Sequence, residues 1–212
     1  GLRRVIPAFH RRVDLPERGG AWSDYLAGTA RQMEELAARF TPTPDPRTEV
    51  TLVDWDPDAE VKAAAAALYP YAGLPDDQLL DHVRRLPDDA LTALLSAYAG
   101  ERRNRRHRPG RGMERVSYRF DLLCDYGIFR DLQRHRLLTI EWQRLGTTHG
   151  YVTPPAIEEA GLAGDWSRAM ETAASLHSRL VSLLGADVAQ YVVPFAHRIR
   201  FCVQLNAREA FH

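Results

Sequence analysis

Three prolines at alternate positions set the first limit on what this chain can fold into. They stand in Thr41-Pro42-Thr43-Pro44-Asp45-Pro46. Each removes a backbone donor and holds the residue before it extended, so neither a helix nor a central strand runs through them. The run reads as a linker between a helical appendage over residues 1–48 and a main domain over 49–212. Trp22, Tyr25, Leu26, Met33, Leu36, Ala37 and Phe40 recur at helical spacing, which predicts an amphipathic helix over about 21–40. The chain begins without Met, and its last helical signal is cut off at Phe211-His212. The appendage therefore reads as the tail of a preceding domain, and the main domain as truncated at its C-terminal side.

Beyond the linker, strand and helix signals alternate. Val50 to Trp55 predicts a short strand. Asp56-Pro57-Asp58 starts a helix through the alanine-rich run Ala59 to Leu68. Pro75-Asp76-Asp77 and Pro87-Asp88-Asp89 open two more, the second reaching about Tyr98. Val116 to Phe120 alternates as a strand, Asp121 to Arg134 has helical spacing, and Leu137 to Trp142 suits a strand. Asp165 is a candidate N-cap for a helix over 166–184. Its stripe is Met170, Ala173, Leu176, Leu180 and Leu184, closed by Gly185. A short helix stops at Pro194, Arg198 to Leu205 alternates, and Asn206 caps a final helix. Helices on a small sheet give an α/β (α+β) fold.

Lys+Arg and Asp+Glu are both 28, so the net charge is zero. Bulk charge therefore does not drive the protein onto DNA or an anionic membrane. Lys62 is the only lysine, which leaves 27 arginines among the 28 basic residues. A GC-rich genome gives such a bias, but guanidinium is also the group that grips phosphates and carboxylates bidentately. Seven arginines fall within residues 101–115, a loop broken by Pro109, Gly110 and Gly112. The acidic stretches 54–60 and 76–89 can neutralise it. Only Tyr118 stands near it, so aromatic interleaving is poor and nucleic acid is disfavoured as a partner. Cys124 and Cys202 form no disulfide framework and read as small core residues. No apolar run reaches the ~18 residues of a membrane span, and no signal peptide is visible, so the expected location is cytoplasmic without a membrane partner. His149, His177 and His197 lack HExxH or CxxC partners, so no metal site is expected and each reads as a surface or capping histidine.

The densest cluster is Arg130-Asp131-Leu132-Gln133-Arg134-His135-Arg136. Three consecutive cations at a helix end repel one another unless an anion or ring system sits among them. At a helix-to-strand junction, Arg-His-Arg can grip phosphates and donate hydrogen bonds to a polar heterocycle. The bland alternative is a solvated basic loop.

Arg134-His135-Arg136 followed by Leu-Leu-Thr-Ile-Glu-Trp-Gln-Arg resembles the signature of the flavin-dependent thymidylate synthases, in which Arg-His-Arg precedes a serine after seven residues. Glu114, twenty residues before Arg134, with Val116 to Phe120, is similar to the family's Glu-His-x-x-Phe-x-Phe strand. Arg130-Asp131-Leu132-Gln133 resembles its Arg-Gln-Trp-x. Val193-Pro194, Arg200-Phe201 and Asn206-Ala207-Arg208 resemble its Leu-Pro, Arg-Phe and Asn-x-Arg. Val50 to Tyr71 resembles its opening strand and alanine-rich helix, so the likeness covers about 50–212. It implies a small, mostly antiparallel sheet flanked by helices. It also implies reductive methylation of dUMP to dTMP, using methylenetetrahydrofolate, FAD and NADPH, in homotetramers with shared sites. Arg134, His135 and Arg136 would contact FAD, joined by Glu114, Asn206, Arg208 and His212.

The departures from that pattern fall on the substrate side. Arg144 replaces the signature serine. Gly146 and Gln190 replace two arginines that hold the dUMP phosphate, and Asp131 replaces a glutamine. Glu141-Trp142 replaces an Asn-Glu pair, and Ala63 to Ala67 mostly replaces Ala-Ala-Arg-x-Ser. A phosphate of nearly two charges needs paired cations, and each lost charge-assisted contact removes ~1.5–3 kcal/mol. Arg144 could in part supply a phosphate ligand but cannot copy a hydroxyl. The expectation is the family fold with a degenerate substrate site, no assigned catalytic residue, dUMP binding lost and FAD retained. Such a copy would serve a structural or flavin-binding role in a homo-oligomer, or beside an intact copy in the same chain. NADPH and methylenetetrahydrofolate would be used only by an active enzyme. The alternatives are an active thymidylate synthase or related nucleotide-modifying flavoenzyme with altered substrate contacts, and a nucleic-acid-binding module that uses the 101–115 arginine loop.

Overall fold

The computed structural model describes residues 1–13, 15–40 and 42–211, apart from the side chain of Arg12. Thr41, at the head of the linker, and His212 lie outside the described residues. The chain divides into two compact units, Gly1–Pro46 and Arg47–His212.

The first unit holds α1 (Leu2–Val5), α2 (Pro7–Val13), a π-turn over Pro16–Gly20, and α3 (Ala21–Ala37). The predicted stripe lies on α3, where Trp22 and Tyr25 stack at 5.6 Å between ring centroids. Trp22, Tyr25, Leu26, Met33 and Leu36 are all exposed.

In the second unit four strands form one sheet: β1 (Val50–Trp55), β2 (Ser117–Asp125), β3 (Thr139–Trp142) and β4 (Arg198–Asn206). Their order is β1-β2-β4-β3, with every neighbouring pair antiparallel. The helices are α4 (Ala59–Ala72), α5 (Asp76–Val83), α6 (Asp88–Ala99), α7 (Tyr126–Leu132), α8 (Pro155–Glu159), α9 (Ala163–Leu184), α10 (Ala186–Ala189) and α11 (Ala207–Ala210). Among the described residues, no helix is long and apolar enough to cross a membrane.

Strand register builds the core. Phe120 stands opposite Val203, Leu122 opposite Phe201, and Cys124 opposite Ile199. These alternate residues share one face, and Phe129 of α7 packs edge-on against Phe201 at 4.9 Å and Trp142 at 5.4 Å. The other face is polar, with Arg200 paired to Asp121. Cys202 faces that side, its Sγ 3.7 Å from Asp121 Oδ2, so only Cys124 has the core-facing place expected of both cysteines. A second core joins Ala64 and Ala65 of α4 to Leu79 and Val83 of α5, where the bare methyls let the helices approach closely.

Three boundaries differ from the sequence reading. The helical spacing after Phe120 hides five further strand residues, Asp121 to Asp125. Nine residues of β4 pair with β2 as far as Asp125, and α7 starts only there, with Asp125 Oδ1 accepting from Ile128 N at 2.9 Å. Helix α9 begins at Ala163, so Asp165 lies in its first turn and pairs with Arg168 instead of capping. Leu176 and Leu184 of its stripe are exposed. Helix α4 runs through Pro70 and ends at Gly73, whose φ of 62° only glycine adopts without strain.

Candidate functional site

The turn after α7 presents the basic triplet. Arg134 N donates to Asp131 O at 3.1 Å, and His135 N to Leu132 O at 3.0 Å, so the chain keeps turning past the helix before β3 begins. A cleft of about 630 Å³ opens there. Arg130, Arg134 and Arg136 supply its charge, His135 a polar ring, and Leu138, Ile140 and Trp142 its apolar wall. A second cleft of about 600 Å³ is lined by Arg105, Arg106, Arg108 and, again, His135. Asp131 is paired with Arg134 at 3.0 Å, and both are well exposed. The Arg136 side chain makes no hydrogen bond or ion pair with any described residue.

Helix α11 clamps these parts together. Asn206 Oδ1 accepts from Glu209 N at 2.8 Å, capping the helix. Arg208 donates from Nη1 to Glu114 Oε1 at 2.9 Å and from Nε to Pro109 O at 3.0 Å. Arg111 also binds Glu114 and, with Arg208, holds its carboxyl below the usual range. Arg102 lies 4.5 Å over the Phe211 ring. The Glu209 side chain is buried, with Oε1 3.5 Å from His135 Nδ1. Of the residues expected at a flavin, Arg134, His135 and Arg136 therefore line an open cleft. Glu114, Asn206 and Arg208 form the brace behind the arginine loop. His212 is outside the described residues. Glu209 escaped the sequence reading, although Asn206-Ala207-Arg208-Glu209 has capping-box spacing.

The expected substrate residues Arg144, Gly146 and Gln190 meet elsewhere, where the segment after β3 approaches α10. Arg144 Nε pairs with Asp187 at 3.0 Å, and Gln190 Oε1 accepts from Leu145 N at 2.9 Å. A side chain at Gly146 would have room, since a Cβ there meets only His177, at 3.9 Å. The adjoining cavity of about 400 Å³ is lined by Tyr126, Leu145, Asp187, Gln190, Tyr191, Val193 and Phe195, with no cation in its wall. Asp131, at the end of α7, is not part of it.

Residues 51–212 match the thymidylate synthase complementing protein family. The chain belongs to that family. UPF0159 proteins resemble it over a longer stretch. That of Chlamydia muridarum is 38% identical over 98% of this chain, and that of Thermoplasma acidophilum 34% over 82%. The chain spans only 40% and 36% of their lengths. The fold is shared with a UMP/dUMP methylase, PolB, from Streptomyces cacaoi bound with 5-Br dUMP. The TM-score is 0.59 at 20% identity, covering 77% of this chain and 75% of that one. It is also shared with the flavin dependent thymidylate synthase ThyX from Helicobacter pylori, complexed with FAD and dUMP. There the TM-score is 0.50 at 17% identity, covering 76% and 80%.

In this thymidylate synthase complementing protein domain the histidines take different places. His197 is not a surface or capping residue: it is 1% exposed, held by the bridge between Tyr151 and the chain entering β4. Its Nδ1 finds no partner among the described residues. Burial, reinforced by His177, pushes its pKa below the ordinary value. Among the described residues, no three His, Cys, Asp or Glu side chains could hold a metal ion.

Proposed function

We propose that this domain is a degenerate flavin-dependent thymidylate synthase copy, which binds FAD at the triplet cleft and has lost the dUMP phosphate site. The donor set fits FAD. Arg136 has no partner among the described residues, Arg134 is exposed beside it, and Leu138, Ile140 and Trp142 offer an apolar surface to a ring. Guanidinium forks match the oxygens of a pyrophosphate. In the family reaction the flavin relays hydride from NADPH during methylation of dUMP by methylenetetrahydrofolate. Here Arg134 and Arg136 would hold its phosphates and His135 would hydrogen-bond it, while Glu114, Asn206 and Arg208 keep the surrounding loop in register.

The observation that carries the loss of substrate is the pair of internal bonds at the other end. Arg144 is engaged by Asp187, and the Gln190 carbonyl by Leu145. A phosphate entering there meets the Asp187 carboxylate and no free cation. Two missing charge-assisted contacts at ~1.5–3 kcal/mol each weaken binding by roughly a hundredfold or more. Such a copy serves as a structural or flavin-binding part of a larger assembly, either a homo-oligomer or a longer chain with an intact copy. The greater length of the UPF0159 proteins leaves room for one.

FAD titration followed by visible absorbance tests the first half. The expected result is a yellow complex that Arg136→Ala weakens about tenfold. Protein that stays colourless with FAD sinks the flavin assignment. Tritium release from labelled dUMP, with NADPH and methylenetetrahydrofolate present, tests the second half. Background counts are expected, and substantial turnover would show an active enzyme with altered contacts.

A further inference from the structure

The arginine loop holds more charge than its fold uses. Arg102 donates to His107 O at 2.7 Å and covers Phe211. Arg103 pairs with Glu101 at 3.2 Å, Arg111 with Glu114 at 3.1 Å, and Arg115 with Asp76 at 2.7 Å. The side chains of Arg105, Arg106 and Arg108 make no ion pair or hydrogen bond with any described residue. All three line the same cleft of about 600 Å³, closed by His135. Of the acidic stretches expected to neutralise the loop, only Asp76 reaches one of its arginines.

The loop is also fastened. Arg208 holds Pro109 O, and Gly112 N donates to the Tyr98 hydroxyl at 2.8 Å. A Cβ at Gly110 would collide with the Tyr98 ring, so glycine is what lets the loop lie against α6. Asn104 Oδ1 accepts from Arg106 N at 2.9 Å, and His107 Nδ1 from Arg103 N at 3.3 Å. Three cations are thus held towards one space, where they repel each other until an anion sits among them.

We infer that the Arg105–Arg106–Arg108 cleft is a second anion site, separate from the triplet cleft, for the phosphate groups of a small ligand with at least two negative charges. Three guanidinium forks around one cleft match a terminal phosphate or a diphosphate better than a single carboxylate. A nucleic-acid track would extend along the surface and carry several aromatic rings for stacking, whereas no Phe, Tyr or Trp lines this cleft and its one ring is the His135 imidazole. His135 is the only residue common to both clefts, so two ligands would meet across it. The inference does not depend on the flavin reading.

Calorimetric titration of the full chain with inorganic pyrophosphate tests it. Wild-type protein is expected to bind, with affinity changed less than about threefold by saturating FAD or by Arg136→Ala. Replacing Arg105, Arg106 and Arg108 together by Ala should weaken pyrophosphate at least about tenfold. The matching Lys variant should recover most of the binding, which separates lost charge from lost folding. Pyrophosphate binding abolished by FAD, or by Arg136→Ala, would show a single flavin site and overturn the inference. So would binding indifferent to the three arginines. Single-stranded oligonucleotide bound through these arginines, with pyrophosphate unbound, would replace the site by a nucleic-acid surface. If FAD fails to bind while pyrophosphate still tracks the three arginines, the flavin reading fails and the second site stands.

Discussion

At His197 burial opposes protonation, and the consequence for stability has a definite sign. The folded chain keeps this imidazole neutral below the pH at which an unfolded one, near ~6.5, takes up a proton. Acid therefore favours the unfolded state, and stability falls as pH drops through that value. His149 is shifted the same way, by burial first and by Arg200 second. We predict a lower Tm at about pH 5.5 than at about pH 7.5, and a smaller difference in His197→Gln, read by calorimetric scans at both values. Cys124 gives a second residue-scale prediction. Burial, with Asp125 and Glu49 adding to it, pushes its thiol up to about 11. At about pH 8 only about one part in a thousand is thiolate. Iodoacetamide should leave Cys124 unmodified in the native protein over a period that labels the denatured chain fully, as peptide mass spectrometry would show. Rapid native labelling would contradict that environment.

Among the elements, α7 shows how a short helix can set a site. Its seven residues carry the triplet at their far end, and Asp125 starts them through one hydrogen bond. Asp125→Ala should cost about 1 kcal/mol in urea unfolding, and Asp125→Asn should recover most of it. Equal losses in both variants would argue against the cap. The same junction shows what was legible in the sequence. Strands β1 and β3 follow from short apolar runs, β4 from alternation, and helices α4 to α6 from their Asp-Pro-Asp and Pro-Asp-Asp starts. The end of β2 does not, because Leu122, Tyr126, Phe129 and Leu132 keep helical spacing across it. The hydrogen bonds that make Asp121 to Asp125 a strand come from Arg198 to Cys202, far along the chain. In the site, the triplet and the Asn206 cap were readable as local patterns. Which three of seven loop arginines have no partner among the described residues was not, since their neighbours' partners are as scattered as Asp76, Glu114 and Phe211.

For the whole molecule, the apolar sheet face runs out to an uncovered edge. Val50 and Leu52 continue the rows of Leu122 and Phe120, and Trp55 that of Tyr118, yet they are 61%, 44% and 57% exposed. Contiguous apolar surface of this kind marks an interface. We predict by sedimentation velocity a species larger than the 24.0 kDa chain, converted to monomer by Leu52→Asp with Trp55→Asp. A monomeric wild-type protein would refute that use of β1. The strand order carries one more consequence. β4 is the last strand in sequence but lies between β2 and β3. On the ribosome, those two strands have no neighbour to join them until residue 198 has been made. From the making of β3 until that of β4, the nascent chain carries Phe120, Leu122 and two open backbone edges, and is a natural chaperone client until β4 slides into the gap.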